Sequence, residues 1–443
     1  MNNNQKIYQQ AQRYLPGGVC SSARYNKYLK SPLYIAGGEG ARIKDYDGNA
    51  YIDFCLSFGA SLVGHRNPHV VENIQKALEM GLICAYESEW QHRLAEKIAK
   101  TVPCIDMLRF TMSGTETTYY AIKLSRIYTG RRKVVKFEGN FHGFNDYLAF
   151  NYWPASDRSW PTITPAMEGM PDRSLEDIIV LPYNDAASVK ETFDRRGAEI
   201  AAVIVEPINY NSGTILPAEG FLELLREMTR KHGTVLIFDE VLSGFRTGAD
   251  CAQGFYGVIP DLCTLGKAIG GGTALSCFGG QRHIMEQISP LGKAQHSGTY
   301  NAHLIEIMAG NAFFDLIADS HFYPELLGRC SRFYDALADV FKRLGFPGRV
   351  QHKGARFSFR FGPIAEMEVR NYRDLIANDW GLIDRFYMAC RKHGVYFHTM
   401  QHHGLSSAHT DQDIDEALSG IEAALKDLIA GGLKSEKVAA APF

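Results

Sequence analysis

The sequence has few of the features that identify small secreted domains or metal-binding domains. Its 443 residues include nine cysteines, an odd number, and none of them forms a C-x-x-C pair. This scattered pattern is typical of reduced thiols and argues against a disulfide framework or a zinc site. The N-terminal stretch MNNNQKIYQQAQRY is polar and lacks the apolar core of a secretory signal. We therefore expect a cytoplasmic protein without a metal centre.

A strong net charge and a long hydrophobic run are also missing. The formal net charge is −2, from 47 basic and 49 acidic residues. We therefore expect neither a nucleic-acid-binding surface nor a membrane-spanning segment. The sequence contains no G-x-x-x-x-G-K-S/T motif, which excludes a P-loop, and no G-x-G-x-x-G follows the first strand. The lack of a G-x-G-x-x-G motif argues against a dinucleotide-binding site.

The composition is that of an ordinary soluble protein, with 45% hydrophobic and 22% charged residues, and the length suits two domains. Short alternating segments near the N-terminus, with an Asp47-Gly48 turn, predict an antiparallel meander. Further along, short apolar strands alternate with amphipathic helices, which predicts a mostly parallel α/β sheet. The predicted domains are an N-terminal segment that contributes to a small domain (1–60), a large domain (61–324) and a C-terminal small α+β domain (325–443).

Two apolar runs end at residues that can perform chemistry. Val235–Phe238 stops at Asp239, and Leu262–Leu265 stops at Gly266 and Lys267. Ligands of open α/β sheets bind at the carboxyl ends of the strands. Taken alone, however, a capping aspartate and a solvated lysine are the ordinary interpretation of such residues.

Other predicted strands end in polar residues that fit the same site. Ser113-Gly114-Thr115 opens a helix after one strand, and Glu206 follows another. Backbone N–H groups, hydroxyls and the positive end of a helix suit a phosphate group. A phosphate cradle, a buried aspartate and a strand-end lysine together match the needs of pyridoxal phosphate. A lysine amine bonds the aldehyde of this cofactor, and a carboxylate keeps its ring nitrogen protonated.

Five blocks of the sequence resemble a known family. These are FTMSGTETTYYAIKLSRIYTGR, KFEGNFHG, EPINYNSG, LIFDEVLSGFR and LGKAIGGG. They resemble the signature blocks of the class III (fold type I) aminotransferases, and within that class the sequence is similar to glutamate-1-semialdehyde aminomutase and its aminotransferase relatives. The resemblance extends from Pro16 to Asp415. It implies the PLP-dependent transferase fold type I, with a mostly parallel large domain and a small α+β domain built from both chain ends. It also implies a pyridoxal 5′-phosphate cofactor, small-molecule amino donors and oxo acceptors, and a homodimer with shared active sites.

The resemblance also implies roles for individual residues. Lys267 is expected to form the Schiff base and to move the proton, and Asp239 to pair with the pyridine nitrogen. Thr299 is expected to reach the phosphate of the neighbouring subunit. Arg24 matches an arginine that binds a substrate carboxylate. The remaining implied cofactor contacts are Ser113, Gly114, Thr115, Phe141, His142, Glu206, Asn211 and Val241.

The sequence departs from the aminomutase pattern around the substrate. Phe58 stands in place of a tryptophan, and His402 in place of a gating glutamate. These changes favour an aminotransferase that moves an amino group between a carboxylate-bearing donor and an oxo acceptor. An intramolecular aminomutase, an amino-acid racemase and a non-catalytic cofactor-binding protein are the alternatives, and the intact Lys267 argues against the last. We expect the loop over residues 151–175 to cover the site and to determine the substrate.

Overall fold

The computed structural model describes residues 2–154, 160–399 and 401–432. The strands are β1 (Ile35–Glu39), β2 (Arg42–Asp45), β3 (Ala50–Asp53), β4 (Met107–Thr111), β5 (Lys133–Phe137), β6 (Ile178–Leu181), β7 (Ile200–Val205), β8 (Val235–Asp239), β9 (Leu262–Leu265), β10 (Ser276–Gly280), β11 (Gly348–Lys353), β12 (Arg356–Phe361), β13 (Val395–Tyr396) and β14 (His403–Gly404). The helices are α1 (Asn3–Ala11), α2 (Leu56–Gly59), α3 (Pro68–Met80), α4 (Glu89–Thr101), α5 (Gly114–Thr129), α6 (Asp172–Asp177), α7 (Ala186–Arg196), α8 (Phe221–His232), α9 (Cys251–Tyr256), α10 (Arg282–Met285), α11 (Leu304–Ile317), α12 (Phe322–Arg343), α13 (Tyr372–Leu375), α14 (Trp380–Lys392) and α15 (Asp411–Ala430).

A seven-stranded sheet forms the centre of the molecule, in the order β4-β10-β9-β8-β7-β5-β6. Strands β5 to β9 pair in parallel, whereas β10 is antiparallel to both of its neighbours, β4 and β9. Strand β4 therefore runs in the same direction as the parallel strands. All strands of this sheet except β10 end at one edge, which confirms the predicted mostly parallel α/β sheet.

The central strands are covered on both faces. In β8, Leu236 and Phe238 belong to one hydrophobic cluster, whereas Val235 and Ile237 belong to another on the opposite face. Successive side chains of a strand point to opposite faces, so a strand that is buried on both sides needs apolar residues at every position. This explains why the strands appear in the sequence as continuous apolar runs.

A second sheet joins the two ends of the chain. Strands β1, β2 and β3 form an antiparallel meander, and β13 pairs in parallel with β3 through Val395 and Ile52. The predicted turn lies between β2 and β3, where Gly48 has a φ of 90° that favours glycine. The N-terminal meander thus depends on a strand that is contributed from far along the sequence.

The C-terminal part contains a third sheet, β11-β12-β14, which packs against helices. Thr410 caps helix α15: its side chain accepts from the Asp413 N–H, and the Asp413 carboxylate accepts from the Thr410 N–H. This reciprocal capping satisfies backbone donors at the start of the helix. In β14, Gly404 pairs with Arg356 of β12, which brings the segment before β14 against the beginning of β12.

The loop predicted over residues 151–175 is shorter than expected. Its described part ends at Pro171, because Asp172 begins α6; residues 155–159 lie outside the described residues. Within the described ranges, no helix has the length and apolar character needed to cross a bilayer.

Candidate active site

A cavity of about 270 Å³ opens at the edge of the central sheet where β5, β7, β8 and β9 end. It also borders the first residues of α5. Most of the residues proposed from the sequence as cofactor contacts line this cavity. They are Ser113, Gly114, Thr115, Phe141, His142, Glu206, Asn211, Asp239, Val241 and Lys267. The strand ends therefore meet in one place, although they are widely separated in the sequence.

Lys267 follows β9 in a constrained backbone conformation. Its φ of 47° lies in the left-handed region, and the residue starts a 3₁₀ turn that ends at Gly270. Its amine has no hydrogen-bond partner among the residues that the structure describes. Burial is the main reason that the pKa of Lys267 falls to about 8; the Arg356 charge also lowers it, and Glu206 and Asp239 oppose the change. About one tenth of this amine is therefore neutral near pH 7, far more than for an ordinary lysine, and the neutral form is the nucleophile.

Asp239 ends β8 and is held by three contacts. Its Oδ1 accepts hydrogen bonds from Thr264 Oγ1 at 2.8 Å and from the Val241 N–H at 3.1 Å. Its Oδ2 lies 2.7 Å from Nδ1 of the fully buried His142. Burial lowers the pKa of His142, so this ring favours its neutral form. The contacts fix the plane of the carboxylate and leave it facing the cavity.

Glu206 forms a second acidic position on the cavity wall. Its Oε1 accepts from the Phe141 N–H at 2.7 Å, and its Oε2 accepts from Asn211 Nδ2 at 2.8 Å. Burial, followed by the charge of Asp239, raises the pKa of Glu206 to about 8. Near neutral pH the protonated form of Glu206 is therefore favoured. The ring of Phe141 packs at 4.3 Å from the ring of Tyr152.

The start of α5 forms a cradle for an anion. Ser113 caps the helix, with its hydroxyl accepting from the Glu116 N–H at 3.2 Å. The N–H groups of Gly114 and Thr115 lie in the first helical turn, where no carbonyl of the helix can pair with them. A Cβ on Gly114 would lie 3.2 Å from Val241 Cγ1. The absence of a side chain therefore keeps the cavity open at this point.

The sequence profile of the family described as "Aminotransferase class-III" matches residues 24–425. The chain belongs to the class III aminotransferases. It is 37% identical to "Glutamate-1-semialdehyde 2,1-aminomutase 2" of Exiguobacterium sp., over 96% of this chain and 97% of the relative. An omega-transaminase from Sphaerobacter thermophilus has a similar structure, with a TM-score of 0.91 and 30% identity over 96% of this chain and 98% of the other. A transaminase solved with PLP bound gives a TM-score of 0.88 and 26% identity, over 97% and 98% of the two chains. The predicted family and the fold type I architecture are thus confirmed.

Pyridoxal 5′-phosphate is the cofactor of this class III aminotransferase, and the cavity fits it. The free N–H groups of Gly114 and Thr115 suit its phosphate. The fixed carboxylate of Asp239 suits its ring nitrogen, and the unpartnered amine of Lys267 suits its aldehyde. The groups that would bind the phosphate, the ring nitrogen and the aldehyde of the cofactor therefore line one cavity.

Four predicted site residues lie apart from the cavity of the class III aminotransferase. Arg24 is exposed at the end of a 3₁₀ turn. Thr299 lines a separate cavity of about 520 Å³. Phe58 is half-buried, with its ring 6.2 Å from that of His402, which is buried beside Arg356. The roles of these four residues in substrate and cofactor binding stay predictions.

Several residues of the site were missed in the sequence. The segment Thr273–Ser276 lines the cavity, but none of its residues was predicted as part of the site. Leu242 and Gly143 line the cavity too, each directly beside a predicted residue. The start of β12 contributes Arg356, whose charge acts on Lys267. No local sequence pattern indicates that an arginine at the start of a strand will lie near Lys267.

Four histidines near the C-terminus could suggest a metal site, and the structure gives three of them other partners. His402 Nδ1 lies 2.6 Å from Arg356, His403 Nε2 lies 2.7 Å from the Tyr387 hydroxyl, and His409 Nδ1 lies 2.9 Å from Ser406 Oγ. Across the described ranges, no group of three or more His, Cys, Asp or Glu residues is arranged to hold a metal ion.

Proposed function

We propose that this class III aminotransferase moves an amino group between a carboxylate-bearing amino donor and an oxo acceptor. The observation that carries the proposal is the convergence of Lys267, Asp239 and the start of α5 on one cavity. When bound, the cofactor supplies an electron sink for the carbon that carries the amino group. The similarity to an omega-transaminase over nearly the whole chain supports intermolecular transfer.

Different residues of the site have different roles in this proposed reaction. Lys267 would hold the cofactor through its aldehyde, and the free amine of Lys267 would remove a proton from the substrate carbon that carries the amino group. The lowered pKa of Lys267, about 8, matches this role, since a base works best when its pKa lies near the operating pH. Asp239, whose carboxyl group is held by Thr264, Val241 and His142, would bind the ring nitrogen of the cofactor. The first turn of α5 would hold the phosphate and so orient the cofactor toward Lys267, which lines the same cavity.

An intramolecular aminomutase is the second candidate, and the full-length similarity to glutamate-1-semialdehyde aminomutases favours it. In transamination the oxo product of the donor leaves before the amino group passes to a second molecule, whereas in an aminomutase the amino group returns to the same molecule. Incubation of the enzyme with an amino donor and no acceptor separates them. A transaminase yields one equivalent of oxo product per site and then stops. Continued formation of an aminated isomer, without free oxo product, would favour the aminomutase.

The lowered pKa of Lys267 predicts a pH-dependent uptake of the cofactor by the apoprotein. Only the neutral amine attacks the aldehyde, so the uptake rate should rise about tenfold per pH unit well below pH 8 and level off above it. The absorption of the bound cofactor measures this rate. In Glu206→Gln, the charged form of Glu206, which is populated near pH 8, no longer raises the pKa of Lys267, so the rise should move slightly to lower pH. A rate that is constant from about pH 6.5 to 9 would contradict the assignment.

Arg24→Lys tests whether Arg24 holds a substrate carboxylate. Lysine keeps the charge but loses the fork that can grip a carboxylate by two parallel hydrogen bonds. We expect kcat/KM for a carboxylated donor to fall about tenfold, while a decarboxylated analogue is almost unaffected. The exposed Arg13→Lys variant is the matched control. Equal losses for both donors would indicate that Arg24 supports the fold or a neighbouring subunit instead.

A further inference from the structure

Glu116 lies in the first turn of α5, next to the residues that form the anion cradle. Its backbone N–H donates to the Ser113 hydroxyl at 3.2 Å, and its side-chain Oε2 accepts from the Met112 N–H at 2.9 Å. Met112 and Ser113 both line the cavity at the edge of the central sheet. A carboxylate is therefore fixed beside the place that would hold the phosphate of the cofactor.

A negative charge at this position can compete with the phosphate. The amino end of a helix attracts anions through its unpaired N–H groups, and a side-chain carboxylate can take these groups as well as a ligand can. In a capping box, the side chain of the third helical residue accepts from the N–H of the capping residue. Glu116 is the third residue of α5, but its carboxylate bonds to Met112, one residue before the cap Ser113. The carboxylate therefore bonds outside the cradle.

Asn301 holds the other oxygen of this carboxylate. Its side-chain Nδ2 donates to Glu116 Oε1 at 3.0 Å. A carboxylate only accepts hydrogen bonds, so the atom of the Asn301 amide that faces it must be the nitrogen. Asn301 at one oxygen and Met112 at the other set the plane of the carboxylate. With only one of these two donors, the side chain would be free to rotate toward the Ser113 N–H.

The Asn301 amide is itself held by a tight turn over residues 298–301. The Asn301 N–H donates to the Gly298 carbonyl oxygen at 3.1 Å. A Cβ added to Gly298 would lie 2.5 Å from Asn301 Nδ2, so any side chain at this position would displace the amide from Glu116. Gly298 and Asn301 line the cavity of about 520 Å³, whereas Met112 and Ser113 line the cavity of about 270 Å³. The bond between Asn301 and Glu116 thus joins the walls of the two cavities.

We propose that Asn301 is a positioning residue that raises cofactor affinity by holding the Glu116 carboxylate out of the phosphate cradle. The proposal rests on the proposed function, since it requires that the first turn of α5 bind the phosphate. Without the Asn301 amide, Glu116 can turn back to the Ser113 N–H, as in a capping box, and both occupy that donor and repel the phosphate. This role acts within one chain and differs from the one predicted for Thr299, which is contact with the phosphate of a neighbouring subunit.

Calorimetric titration of the apoprotein with pyridoxamine 5′-phosphate tests the proposal without turnover. This amine form of the cofactor has no aldehyde, so its affinity reports the contacts other than the bond to Lys267. We expect Asn301→Ala to weaken its binding about tenfold, the size of a lost hydrogen bond to a charged group. Pyridoxamine, which lacks the phosphate, should show no such loss. The control is Glu223→Gln, which changes an exposed glutamate in the first turn of α8 and should bind both ligands as the wild type does.

A second change at Glu116 distinguishes this role from a merely structural one. Glu116→Gln alone removes the negative charge, so it should bind pyridoxamine 5′-phosphate at least as tightly as the wild type. In the double variant Asn301→Ala with Glu116→Gln, the released side chain is neutral, and the affinity should return to within about threefold of the wild type. Gly298→Ala keeps Asn301 but displaces its amide, and the Gly298 backbone lies outside the left-handed region. This variant should lose affinity like Asn301→Ala, and Glu116→Gln should restore it too.

The outcomes separate this inference from the proposed function. A loss in Asn301→Ala that Glu116→Gln does not restore, or an equal loss for pyridoxamine, would overturn the role of Asn301. Unchanged affinity in both Asn301→Ala and Gly298→Ala would do the same. If Asn301→Ala does not fold, Gly298→Ala with and without Glu116→Gln decides the question. Failure of every amino donor to yield an oxo product would overturn the transaminase proposal and leave these binding results decisive for Asn301.

Discussion

Replacement of Lys267 by alanine is expected to reduce turnover by at least about a thousandfold, the upper range for loss of a general base, because the same amine also bonds the cofactor. Among the described lysines, Lys136 is a poor substitute for Lys267. Lys136 is fully buried, and its amine donates to the carbonyl oxygens of Asn140 and Phe150. Steady-state kinetics measures the loss of turnover, and the visible absorption of the bound cofactor measures the loss of its bond to the lysine.

The control for this variant is Lys293→Ala, which removes an exposed lysine. It should keep wild-type turnover and the wild-type absorption. The Lys267→Ala protein should still bind the cofactor without a covalent bond, because the first turn of α5 and Asp239 are unchanged. Normal turnover by the variant would remove Lys267 from the reaction.

Asp239→Asn is expected to keep the fold and to lower kcat by about 10²–10³-fold, the usual effect of losing one electrostatic contact at a reacting centre. The amide oxygen can still accept from Thr264 and Val241. Its NH₂ group, however, replaces the oxygen that lies 2.7 Å from His142 Nδ1. The variant therefore loses the negative charge that faces the ring nitrogen, although the shape of the site is preserved.

Thr264→Val is the companion to Asp239→Asn. It removes only the 2.8 Å hydrogen bond to Oδ1 and keeps the carboxylate charge. We expect a loss of about tenfold or less, consistent with one buried hydrogen bond. A near-normal kcat in Asp239→Asn would exclude Asp239 from the electrostatic role. Equal effects of the two variants would point to orientation of the carboxylate, and not its charge, as the important factor.

The sequence predicted the parts of the site that local patterns encode. Asp239 and Lys267 were found because each ends a continuous apolar run, and a parallel sheet brings such ends to one edge. Ser113 was found because a helix start has its own capping signal. These inferences need only the residues on either side of each position.

The contacts of the site that the sequence did not predict arise where strands far apart in the sequence pair with one another. Arg356 reaches the neighbourhood of Lys267 because β12 belongs to another sheet, whose position no local pattern specifies. The contact of His402 with Arg356 arises from the pairing of β14 with β12. The pairing of β13 with β3 likewise joins segments from opposite ends of the chain. The predicted domain boundaries, the homodimer, the cytoplasmic location and the role of Thr299 stay predictions.

Borohydride reduction of the holoenzyme, followed by peptide mapping with mass spectrometry, tests the central claim most directly. The reagent makes the bond between a lysine amine and the cofactor aldehyde permanent, so the modified peptide identifies the lysine. Our account predicts the cofactor-derived mass on Lys267, and its absence from that peptide when an amino donor is added before reduction. Modification of a different lysine, with Lys267 unmodified, would contradict the account.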